Sequence, residues 1–272
     1  MRRAALLFAY SLRRARALIL TTGLLLGALQ LVLIFVAGAL QSSGSFDQLS
    51  AIIPPFAREL LGPSVTIVMS FGGIVCMGYF ELAVMGALIA VAVTLATTPT
   101  SEVETGFMDL ILARPLARHW VITRTVALTT FVTAAMVALM VGGTWAGLRM
   151  FAPAGVAWPA ATLINSLAVN LGMLTLCWGG VAMAIGAAST RRSVAGGAAG
   201  LLALGTFLLD YVARLWQPAE KVAWISPFRY YNPFDLITGI ALPYRNLVVL
   251  GAIALAGFVA AYVLFARRDI SN

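Results

Sequence analysis

The sequence predicts an all-α, polytopic membrane protein with six transmembrane helices. Three observations lead there. Hydrophobic residues fill 61 % of the 272 positions and charged residues 10 %, where a soluble domain carries about a quarter charged. Mean hydropathy is +0.95. The apolar residues fall into runs of about 20 or more, long enough to cross a hydrocarbon core of about 30 Å, with arginines at the ends of the runs. Such a composition cannot cover the surface of a water-soluble fold, and it excludes disorder, a coiled coil and a disulfide scaffold. Nucleic-acid binding is excluded too, despite 18 basic residues against 10 acidic. The basic residues flank apolar runs and form no patch, which suits membrane topology better than phosphate contact.

Residues 1–16 form a basic stretch with five arginines. The first span is 17–40, 24 residues without a charge. Ala37-Gly38-Ala39 imitates a cleavage site, but a signal core is about 7–15 residues, so this run is a retained anchor. The second span lies within 64–98, taken as 66–98, and contains Glu81. A single helix over that stretch would reach about 50 Å, so it tilts, projects into water or ends in a separate turn. The third span is 125–148. Pro153 and Pro159 break the start of the next uncharged stretch and place the fourth span at 161–188. The fifth is 193–213 and the sixth 246–266.

Six crossings put both termini on one side. Segments on that side carry twelve basic residues in 51 positions, and the opposite segments six in 67. The denser set faces the cytoplasm, together with both termini and the 99–124 loop. The external segment 214–245 holds seven aromatic residues, among them Trp216, Trp224, Tyr230, Tyr231 and Phe234. It reads as short helices at the outer interface, with an aromatic ligand site as the alternative.

Chemistry-bearing motifs are missing. There is no GxxxxGK[ST], and the single lysine, Lys221, follows Pro-Ala-Glu. No GxSxG occurs. The single histidine, His119, lies at the start of a span without metal-ligand spacing around it. Cys76 and Cys177 sit inside apolar runs and read as small packing residues. Met69, Met77 and Met85 recur every eight residues, where flexible packing is weighed against soft-metal handling. No catalytic, cofactor or metal site is expected on the chain, so any driving energy comes from another subunit or an ion gradient.

The most patterned sequence outside the membrane is 100–118. Pro99 marks a break, and Ser101-x-x-Glu104 is a capping-box pattern. Glu102 and Glu104 suit a helix N-terminus, and Arg114 suits its end before Pro115. Phe107, Leu110, Ile111 and Arg114 share a face at i, i+3, i+4, i+7. The expectation is an amphipathic helix over 101–114. It either rests on the lipid surface or docks into a soluble partner, and its acids favour docking because an anionic leaflet repels them.

Glu102-x-x-x-Gly106, the Leu-rich turn at Leu110, and Leu112-Ala113-Arg114-Pro115 through Arg118 resemble the first cytoplasmic loop of ABC-2 type transporter permeases. Ile225-Ser-Pro-Phe-Arg-Tyr-Tyr-Asn-Pro-Phe-Asp235 resembles the segment that bacterial drug- and antibiotic-export members carry before the last span. Residues 1–16 are similar to the family's elbow helix. The usual Gly-Thr after the loop acid is Gly106-Phe107 here. The resemblance implies a second permease subunit, identical or not, two ATPase partners holding ATP and Mg, and export of a lipophilic or amphipathic compound. It also implies a coupling helix in which Ser101, Glu102, Glu104, Gly106, Phe107, Leu110, Ile111, Arg114 and Arg118 face the ATPase.

Within the membrane, a lone carboxylate such as Glu81 costs at least about 2.5–3.5 kcal/mol to insert, which makes it a candidate for the translocation path or a structural hydrogen bond. Asp210 and Arg214 are one turn apart and read as a pair. Gly143-x-x-x-Gly147 and Gly196-x-x-x-Gly200 suit close helix approach. Two other function classes remain: a non-transporting membrane scaffold or assembly protein, and a proton-coupled carrier using Glu81.

Overall fold

The computed structural model describes residues 2–45, 69–106 and 119–267, without the side chains of residues 2–7. Six stretches among them are helical, long and apolar enough to cross a membrane, and no strand occurs. The first, α1 (Arg2–Ser42), is one 41-residue helix. The elbow expected over 1–16 is therefore not a separate element. No glycine or proline lies before Gly23 to interrupt the backbone, and arginine and leucine are good helix formers.

The second crossing is divided. α2 (Phe71–Met77) begins at Ser70, whose hydroxyl accepts the Gly73 N–H at 3.1 Å. A turn over 78–81 separates it from α3 (Leu82–Ala96). Lipid offers no hydrogen bonds, so such a break must be satisfied by the protein. The Phe80 and Glu81 N–H groups both reach the Met77 carbonyl at 3.0 Å. The Tyr79 carbonyl accepts the Tyr231 hydroxyl at 2.5 Å, from a residue 152 positions away.

α3 is followed after Thr97 by α4 (Thr98–Glu104). Pro99 has no N–H to give to the preceding turn and favours the first turn of a new helix, so one helix becomes two. The remaining long helices are α5 (His119–Phe151), α6 (Ala161–Ala188), α7 (Arg192–Ala213) and α10 (Tyr244–Arg267). Between the last two, α8 (Gln217–Glu220), two 3-10 turns at Ala223–Ile225 and Pro227–Tyr230, and α9 (Pro233–Ile237) cover one end of the bundle.

α6 is the central helix. It packs on α10, α3, α5 and α7, while α1 packs mainly on α5. The α6–α10 crossing is a backbone contact: a Cβ on Gly257 would collide with the Gly180 carbonyl group. At the α1–α5 crossing a Cβ on Gly143 would lie 2.8 Å from the Gly27 oxygen. Without water to squeeze apolar surfaces together, close contact of this kind supplies the packing energy. Some buried threonines donate to the carbonyl four residues back, as Thr125 does to Val121 and Thr175 to Leu171, each at 2.9 Å.

Candidate functional site

α4 is short, but it is fastened to three long helices. Thr100 donates its hydroxyl to the Gly186 carbonyl at the end of α6, at 2.8 Å. Glu102 meets Arg124 of α5 at 2.6 Å, with both side chains only 4 % exposed. Glu104 accepts the backbone N–H of Arg192 at 2.9 Å. That N–H opens α7 and has no partner within its own helix, so the carboxylate caps the positive end of the fifth crossing. The Arg192 guanidinium reaches back to the Thr94 carbonyl of α3 at 3.3 Å. One turn of helix thus ties the ends of α3, α5, α6 and α7 together.

Of the helix expected over 101–114, only 101–106 lie among the described residues, and the helix found there is α4. It starts three residues earlier, at Thr98, so Ser101 is an interior residue and not a cap. The Ser101 carbonyl accepts both the N–H and the hydroxyl of Thr105, at 3.0 and 2.8 Å. The helix stops at Glu104, and Gly106 follows with φ +68°, a left-handed conformation that glycine adopts without a Cβ clash. Phe107, Leu110, Ile111, Arg114 and Arg118 lie outside the described residues. Of the expected partner-facing residues, Glu102 turns inward to Arg124, and Glu104 serves α7 while remaining exposed.

From this knot a cleft runs along the seam between α3 and α7. Its first cavity, about 420 Å³, is bounded by Val93, Thr97, Glu104 and Arg192. It shares Val93, Thr94 and Gly196 with a second, apolar cavity of about 570 Å³. That one shares Leu82, Met85, Phe207 and Phe228 with a third of about 340 Å³ at the far end. Gly196 and Gly200 open onto the middle cavity, and an added Cβ on either would meet no atom within 4 Å. The two glycine pairs therefore differ. Gly143 and Gly147 are packed against α1, whereas Gly196 and Gly200 leave a recess.

The far end is built by the aromatic segment. Phe228 and Tyr231 are buried, and burial pushes the Tyr231 phenol well above the usual tyrosine range. Trp216, Trp224 and Tyr244 are exposed, as rings of an interfacial belt would be. The Ser226 hydroxyl donates to the Thr206 carbonyl of α7 at 2.8 Å and accepts the Phe228 N–H at 3.2 Å, which docks the segment on α7. Arg214 donates to Asp210 Oδ2 through Nη2 at 2.9 Å and Nε at 3.3 Å. Asp210 is 4 % exposed, and its Oδ1 has no hydrogen-bond partner among the described residues.

Glu81 is half-buried in the turn between α2 and α3. It occupies the N-cap of α3 without a side-chain capping bond and lines none of the three cavities. Cys76 and Cys177 are free thiols in the core. No cluster of three metal-ligating His, Cys, Asp or Glu side chains occurs among the described residues.

Sequence reasoning misses Arg124 and Arg192, which count there as topology charges only. An arginine just inside an apolar run is the available signal, since such a charge needs a partner. Asp210 is legible as a pair member, but not as the owner of an unspent oxygen. No protein-family model matches the chain, and no curated protein is detectably similar to it.

Proposed function

We propose that the chain is the membrane-spanning permease subunit of an ATP-driven exporter, an ABC transporter of the ABC-2 type. Two separate ATPase subunits supply the energy, and a second permease subunit completes the pore. The observation that carries this reading is α4. It overlaps the start of the segment, Glu102 to Arg118, whose sequence resembles the family's ATPase-contacting loop, and it is bonded to α5, α6 and α7 at once. A push delivered at residues 107–118 would reach the fifth crossing through the Glu104 cap and the third through Glu102–Arg124. The cleft between α3 and α7 is the channel wall that this movement would open toward one side of the membrane and then the other. The wall of its middle cavity is almost wholly apolar, which suits a lipophilic or amphipathic cargo. With positive charge inside, α4 and both termini face the cytoplasm of a bacterial cell.

Purification from native membranes should recover a P-loop ATPase in stoichiometric amount. The double variant Phe107→Asp with Leu110→Asp should lose that subunit and all ATP-dependent transport while keeping its helical bundle. Normal assembly and transport in that variant would refute the docking role and leave a membrane scaffold. Glu81→Gln retaining full ATP-dependent transport would remove the proton-coupled carrier.

A further inference from the structure

The cavity at the far end of the cleft has the chemistry of a site for a bulky organic cation. Its walls are aromatic. Phe80 and Phe234 lie 5.0 Å apart at 49°, and Phe207 and Phe228 lie 5.4 Å apart, edge to face. Tyr231 and Met85 line the cavity with them. Ring faces attract cations through the quadrupole, and this attraction grows when the cation is stripped of water. At about 340 Å³ the cavity suits a small lipophilic molecule.

The charges around it lean negative: Asp210 and Asp235 against Arg214. Asp210 is the buried one. Both Arg214 bonds go to Oδ2, and the Arg214 side chain is 52 % exposed. Oδ1 has no partner among the described residues and no contact with water. A carboxylate charge beneath an aromatic wall is screened little by solvent, so it acts on whatever lies over that wall. Because Oδ1 sits within the wall, the ligand meets its field rather than a hydrogen bond. That selects a delocalised or quaternary cation over a primary amine, which would demand acceptors. It also selects against a divalent metal ion, which needs about six oxygen ligands.

We propose that this cavity binds a lipophilic organic cation, held by the Phe80, Phe207, Phe228 and Phe234 rings and by the Asp210 carboxylate. The cavity shares Met85 and Phe207 with the apolar cleft, so a ligand can enter it from between α3 and α7. The assignment of this cation as exported cargo rests on the proposed transport function; binding itself does not.

The test uses full-length protein, with whatever subunits accompany it, in neutral-lipid nanodiscs without nucleotide. The probe is tetraphenylphosphonium, and tetraphenylborate is its charge-reversed counterpart. Saturable tetraphenylphosphonium binding is expected, with none for tetraphenylborate. Asp210→Asn should weaken binding at least tenfold, and Asp210→Glu should retain it. Phe234→Ala, which alters an exposed ring, should weaken it several-fold. Arg214→Gln removes the competing guanidinium and should leave binding equal or tighter. Absent saturable binding, equal binding of the borate, or wild-type affinity in Asp210→Asn would overturn the proposal. If Asp210→Asn fails to fold, Phe234→Ala and Arg214→Gln decide: unchanged affinity in the first or lost affinity in the second overturns it. Because no ATP is present, failure here leaves the ATPase-recovery result untouched.

Discussion

Glu102→Gln should strongly destabilise the fold. Its carboxylate and the Arg124 guanidinium meet at 2.6 Å, and each side chain is 4 % exposed. An exposed ion pair contributes about 0–1 kcal/mol. A buried one behaves differently: removing one partner strands the other without water, at about 3–5 kcal/mol. At 4 % exposure this pair belongs to the second class. At 1.4 kcal/mol per factor of ten, the folded-to-unfolded ratio should fall about 140- to 4,000-fold. The assay is unfolding of the purified protein in mixed micelles by dodecyl sulfate titration, followed by far-ultraviolet circular dichroism. Replacing both residues, Glu102→Met with Arg124→Met, removes the stranded charge and should return stability to within about 1 kcal/mol of the parent, or above it. The reasoning is refuted if Glu102→Gln costs less than about 1 kcal/mol, or if the double variant is as unstable as the single.

Other outcomes can be checked on the same preparation. Glu104→Ala removes the cap of α7 and should cost about 1 kcal/mol, up to about 2, with faster amide exchange confined to the first turn of that helix. Gly257→Ala forces a methyl group into the Gly180 backbone and should cost about 1–3 kcal/mol in the micelle titration. Gly200→Ala faces open space, so stability should stay within about 0.5 kcal/mol or rise, and a loss of subunit assembly would instead show that the recess is occupied. Tyr231→Phe leaves the Tyr79 carbonyl without its hydroxyl donor and should cost about 1–3 kcal/mol. The Tyr231 phenol is raised above its unfolded value, so its contribution is complete below about pH 10 and is lost as pH climbs beyond that. Ultraviolet titration at alkaline pH should show one fewer late-ionising phenol in Tyr231→Phe, and a wild-type Tyr231 ionising normally in the folded protein would contradict its burial.

Much of the fold is legible because lipid simplifies the problem. A crossing segment must satisfy its backbone internally, so the length of an apolar run nearly specifies a helix. The fourth span, Ala161–Ala188, comes directly from the prolines at 153 and 159. A separate turn at the far end of the second crossing is one of three readings open there, and α2 is that turn. Where local signals compete, reading by pattern fails. Ser101-x-x-Glu104 has the form of a cap, yet Pro99 has already started the helix, and that helix ends at Glu104, ahead of Phe107 where the expected stripe begins. The stretch 1–16 resembles an elbow helix, but no residue in it interrupts the backbone, and α1 continues through it as one helix.

The sequence by itself determined the membrane class, the six apolar crossings and the aromatic character of the segment before the last one. The tertiary structure decided which charge answers which. Glu102 finds Arg124 across 22 residues and Glu104 finds the Arg192 amide across 88, while Asp210 keeps one oxygen unspent. It also decided that one glycine pair is filled by a neighbouring helix and the other left open, although the two have the same spacing. The physical reason is that an apolar or small residue permits a close neighbour without requiring one. Spacing along a helix shows which residues share a face, and the arrangement of the other helices settles what that face meets.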